Sequence, residues 1–148
     1  MKFKFPLESV LNFRKTLENM AQRDLQEAMA ELHQQNEKLN FLLSQIVEAR
    51  ENAFQSQVEG GKASPHLVQI EEFIRGQDVR TERQRTKIKD CEQKVEECRE
   101  ILRQKAIDYK IIEGLRDRRK EEFKKNVNRI EQKLADDQTT MRHRTGEE

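Results

Sequence analysis

From Leu7 to Ala53 an apolar residue recurs alternately four and three positions apart. That spacing restricts the segment to a helix that must bury one seam against another helix. The positions are Leu7, Leu11, Arg14, Glu18, Ala21, Leu25, Ala28, Leu32, Gln35, Leu39, Leu42, Ile46, Ala49 and Ala53, and eleven of the fourteen are apolar. A disordered segment of similar polarity would show no such period. Composition explains why the seam matters so much. Of 148 residues, 39% are charged and only 34% hydrophobic, with no Trp and one Tyr. A globular domain usually carries about 45–50% apolar and about 25% charged residues. Long helices that bury a narrow stripe fit this chain better than a compact core does.

One break divides the chain. Glu59-Gly60-Gly61-Lys62-Ala63-Ser64-Pro65 gathers the turn chemistry, with Gly60-Gly61 for a reversal and Ser64-Pro65 as cap and first helical residue. Pro6 can open the first helix in the same way, with Glu8 in its first turn. These signals predict helix one over about 6–58, a turn at 59–64, helix two over about 65–141 and a flexible tail at 142–148, all within one coiled-coil domain. On helix two the seam runs from Leu67 to Lys133 with twelve of twenty positions apolar. It has polar gaps at 77–84 and 116–119, beside Gly76 and Gly114. The two glycines read either as tolerated surface positions or as flexible points contacted by something other than the partner helix.

A short turn between two heptad helices implies an all-α antiparallel hairpin. Helix one would be roughly 80 Å long and helix two roughly 115 Å at about 1.5 Å per residue. Leu11 would then lie opposite about residue 113, and intramolecular pairing would end near residue 118. The C-terminal overhang carries its own apolar stripe, Phe123, Val127, Ile130 and Leu134. It is also basic: residues 116–133 hold eight Lys and Arg against four Asp and Glu. Such a run is a solvated face or a protein docking site. A second stripe on helix one, Val10, Phe13, Leu17 and Met20, lies beside the seam near the same end.

Other chemistry is sparse. Cys91 and Cys98 are seven residues apart on one seam, too far apart for a mutual disulfide and not spaced as a zinc site, and they read as small core residues. His33, His66 and His143 are isolated and read as exposed. There is no phosphate-binding glycine loop, nucleophile elbow or HExxH, and a helical hairpin offers no enclosed pocket, so neither catalysis nor a cofactor is expected. No apolar run approaches the roughly 18–20 residues that span a bilayer. The opening sequence lacks a secretory signal, which predicts a soluble, intracellular chain. A net charge of +1 argues against a general nucleic-acid binder.

Three segments resemble the flagellar FliJ family, the small coiled-coil components of the type III export apparatus. The first is Phe3-Lys4-Phe5-Pro6-Leu7-Glu8-Ser9-Val10-Leu11-Asn12-Phe13-Arg14, similar to that family's F-x-F-x-L-x-x-V-L-x-x-R opening. The second is Gly60-Gly61-Lys62-Ala63-Ser64 with Phe73-Ile74. The third is Leu115-Arg116-Asp117-Arg118-Arg119-Lys120-Glu121-Glu122-Phe123, then Arg129-Ile130-Glu131-Gln132-Lys133 and Asp136-Asp137. The resemblance implies a non-catalytic, stalk-like protein that binds the hexameric export ATPase FliI (with FliH) and promotes its assembly and activity. It further implies contact with the export gate FlhA at the membrane's cytoplasmic side, and handling of export chaperones. Carried over by motif, the ATPase-facing residues are Leu7, Val10, Leu11, Arg14, Arg118, Arg119, Phe123 and Arg129. The gate-facing ones are Phe73 and Leu43, although Gln77, Arg80 and Gln84 nearby are more polar than such a surface requires. The rival readings are a stalk subunit of a rotary F- or V-type ATPase, disfavoured because residues 59–64 leave no room for an inserted domain, and an unrelated coiled-coil chaperone or dimer.

Overall fold

A computed structural model describes residues 2–60 and 65–146. Two elements make up the described part: α1, Glu8–Gly60, of 53 residues, and α2, Pro65–Gly146, of 82 residues. They pack antiparallel, with Arg14 meeting Asp108, Gln35 meeting Gln84, and Gln45 meeting Gln77. Gly61 to Ser64, which include the predicted Ser64 cap, lie outside the described residues.

Both outer ends differ from the sequence expectation. α1 starts at Glu8, not at Pro6, because the Leu7 carbonyl accepts the Leu11 N–H at 2.9 Å while the Glu8 N–H turns back to the Phe5 carbonyl at 3.2 Å. Pro6 therefore stands in a lead-in turn, and Glu8 supplies the negative charge that a helix N-terminus favours. At the other end α2 continues through Gly146, taking in the stretch 142–146 expected as a tail; His143 and Arg144 in its last turn suit the helix dipole.

The contacts group into two compact units: Met1–Asn19 with Arg103–Glu148 (unit 1), and Met20–Leu102 (unit 2). In unit 1, Phe5, Leu11 and Ile112 are buried together, with Phe3, Leu7, Val10, Tyr109 and Leu115 packed around them. Ile112 against Leu11 is within one residue of the register expected from the seam. In unit 2, Ala21, Ala28, Ile46 and Ala49 on α1 and Leu67, Ile88 and Val95 on α2 are buried. All fourteen seam positions from Leu7 to Ala53 are buried or half-buried, and the α2 seam is covered from Leu67 to Arg116.

The polar gap at 77–84 is where the expectation needs correcting. Gln77 (1% exposed), Thr81 and Gln84 are among the most buried side chains of the chain, facing Gln35 and Gln45 of α1. The partner helix itself makes contact there, through amides. Gly76 and Gly114 are the surface positions of the first reading, since a methyl group on either would meet nothing within 4 Å. Replacing Gly76 with Ala should therefore raise stability by about 1 kcal/mol, measurable by urea or thermal unfolding, because only the helix penalty of glycine changes.

Candidate interaction surface

Unit 1 is built by side chains reaching between α2 and the N-terminal part of the chain. Arg14 Nη1 donates to the Asp108 carbonyl at 2.7 Å. Arg116 Nε lies 3.6 Å from a Glu8 carboxylate oxygen. Lys15 Nζ sits 4.8 Å over the Tyr109 ring and 3.5 Å from Glu18 Oε2, a buried oxygen that accepts no hydrogen bond. Ahead of α1, the Phe3 ring packs on Phe123 with centroids 5.6 Å apart, and the Arg119 guanidinium stands 6.0 Å from the Phe5 ring. The segment before the helix thus covers α2 as far as Phe123, several residues past the expected limit near 118. Phe3 and Phe5 carry the signal for this, two large apolar residues ahead of a helix.

These contacts sort the sequence-predicted residues. Leu11 is 3% exposed, and Leu7 and Val10 are half-buried against the same cluster, so all three hold unit 1 together. Arg14 is committed to the Asp108 carbonyl. Arg118, Arg119 and Arg129 are exposed and Phe123 is half-buried. Beyond Val127 every residue from 128 to 146 is exposed, among them Ile130, Leu134 and Met141. This stretch of α2 exposes apolar side chains among charges of both signs, Arg129, Lys133, Arg142 and Arg144 with Glu131, Asp136 and Asp137. Phe13 adds an exposed ring on α1, beside half-buried Val10 and Leu17.

Among the described residues, Tyr109 is the group whose ionisation departs clearly from its ordinary value. The hydrogen bond to Glu113, then partial burial and the nearby carboxylates of Glu113 and Glu18, raise its pKa above 10.0. A raised acid pKa means that the neutral phenol is favoured on folding. That contribution is complete below pH 10 and is lost as pH rises through the higher folded value.

In unit 2, Phe73 stands 44% exposed beside an open groove between α1 and α2, lined also by Gln45, Glu48, Ala49, Asn52, His66, Gln69 and Ile70. Leu43 is half-buried on α1. Two of the three polar neighbours of Phe73 are turned away from solvent. Gln77 and Gln84 point into the helix pair, and only Arg80 is exposed. Cys91 and Cys98 are half-buried free thiols. Among the described residues no group of three metal-ligating side chains occurs, and no helix is long and apolar enough to cross a membrane.

The family model described as Flagellar FliJ protein matches residues 3–148. The chain belongs to the FliJ family. Membership makes it a component of the flagellar export apparatus, and the two helices with a longer second one fit that assignment. No curated protein and no solved structure gives a significant match.

Two measurements check the geometry of this end. Phe5→Ala should cost about 3 kcal/mol of unfolding free energy because it empties a buried site, while Phe13→Ala on the open face should stay within about 0.5 kcal/mol. The chain's single tyrosine allows a direct titration by tyrosinate absorbance: the midpoint should lie above 10.0 and fall toward it in Glu113→Gln.

Proposed function

We propose that the protein is a non-catalytic coupling element of flagellar export. Its terminal end, unit 1, engages the hexameric export ATPase FliI, with FliH, and promotes ring assembly and activity in the manner of a stalk. Unit 2 meets the export gate FlhA through Phe73 and Leu43, and export chaperones are handled on the same hairpin. The protein works in the cytoplasm and reaches the cell membrane by contact with the gate.

The observation that carries this reading is the uncovered C-terminal part of α2, where Ile130 and Leu134 are exposed with Arg129 and Lys133 beside them and Arg118, Arg119, Lys124 and Lys125 just before. An exposed apolar stripe flanked by positive charge suits a protein partner with acidic residues around an apolar groove. Arg118, Arg119, Phe123 and Arg129 offer themselves there, with planar guanidinium forks able to bind carboxylates through two hydrogen bonds. Leu7, Val10, Leu11 and Arg14 contribute by holding α1 and α2 together beneath that surface.

A chain ending at Lys125 keeps the Phe3–Phe123 contact and the whole unit 1 core. It should remain helical and lose stimulation of the ATPase; full stimulation by the shortened chain would remove the exposed end from the mechanism. Arg129→Glu in the full chain should weaken ATPase binding, most clearly at low salt.

A further inference from the structure

A seam of Leu, Ala, Ile and Val is nearly degenerate in register, because moving one helix by seven residues again sets apolar side chains on apolar ones. Within unit 2 the α1 seam from Ala21 to Ala53 is interrupted by a single polar residue, Gln35. On α2 the interruption is Gln77, Thr81 and Gln84. These residues meet. Gln84 gives its amide protons to Gln35, one to the backbone carbonyl at 2.9 Å and one to the side-chain oxygen at 2.7 Å. Gln35 in turn donates to Glu31 at 2.8 Å. Gln77 donates to the Gln45 side-chain oxygen and accepts from Arg80 at 3.0 Å, and the Thr81 hydroxyl donates to the Gln77 carbonyl at 2.7 Å.

Sliding α2 by one heptad breaks this set in either direction. One way, Gln84 takes the place of Gln77 and can still meet Gln45, but Gln77 moves to the site of Ile70 and Cys91 comes to face Gln35. The other way, Gln77 reaches Gln35, but Ile70 comes to face Gln45 and Gln84 moves to the site of Cys91. Neither slip keeps both pairs: the first leaves buried Gln35 facing Cys91 without its Gln84 amide, and the second leaves Gln84 without Gln35 and Gln45 without Gln77. Leaving a buried polar group without its partner costs more than the bond itself contributes. Replacing both members of a buried polar pair with apolar residues carries no such cost, so the layer contributes uniqueness at the expense of stability.

We propose that the Gln35–Gln84 and Gln45–Gln77 layer is a register lock that holds α1 and α2 at one axial offset. It would let the pair transmit displacement along the helices without sliding. The test is a distance measurement between spin labels at Asp24 and Glu82, in a background with Cys91 and Cys98 changed to Ala. Asp24 lies level with Cys98, so the labels are offset along the helices and a one-heptad slip changes their separation by about 10 Å. The parent should give one narrow distance. A Gln35→Leu, Gln77→Leu, Gln84→Leu variant should melt no lower than the parent yet show a second distance displaced by about 10 Å. Should that variant lose helicity, Gln35→Leu with Gln84→Leu is measured in the same way. One unshifted distance in the folded variant overturns the proposal.

Discussion

Everything in this protein depends on α1 and α2 burying each other's seam. With a mean hydropathy of −1.05 and only ten buried hydrophobic side chains among the described residues, neither helix has another apolar surface to pack on. Helix propensity alone would leave such segments marginal in water. The seam is narrow and made largely of small or medium side chains, so the pairing is spread over many weak layers rather than concentrated in one core. Aromatic residues enter it only in unit 1, where Phe5 joins Leu11 and Ile112.

The period that makes the seam is what the sequence displays most openly. All fourteen predicted positions, Leu7 just ahead of α1 and thirteen on it, are buried or half-buried, and Leu11 meets Ile112 where register arithmetic expects residue 113. What could not be read was the fate of polar seam residues. Hydropathy treats Gln77, Thr81 and Gln84 as a gap, yet paired amides can be buried when each finds a partner, and the partner's identity depends on the facing helix. The cover supplied by Phe3 and Phe5 was hidden for a similar reason. A helical period says nothing about a non-helical lead-in, so the limit of pairing on α2 was placed too early. Of the residues singled out by motif, Arg118, Arg119 and Arg129 are exposed, whereas Leu11 and Arg14 have structural duties that motif matching does not separate from contact.

Function follows from what the mutual burial leaves over. α2 is 82 residues long and α1 is 53, so the longer helix has more apolar stripe than its partner and the lead-in segment can cover. The FliJ family assignment supplies the setting, the flagellar export apparatus. The charged side chains of both signs around Ile130 and Leu134 keep that face hydrated.

Hydrogen–deuterium exchange of the chain with and without the export ATPase tests this most directly. Amides over 128–146 should exchange rapidly in the free protein and become protected in the complex, while those of 67–102 keep their rates. Protection confined to unit 2, with 128–146 exchanging as before, would contradict the assignment of the exposed end of α2 as the docking surface.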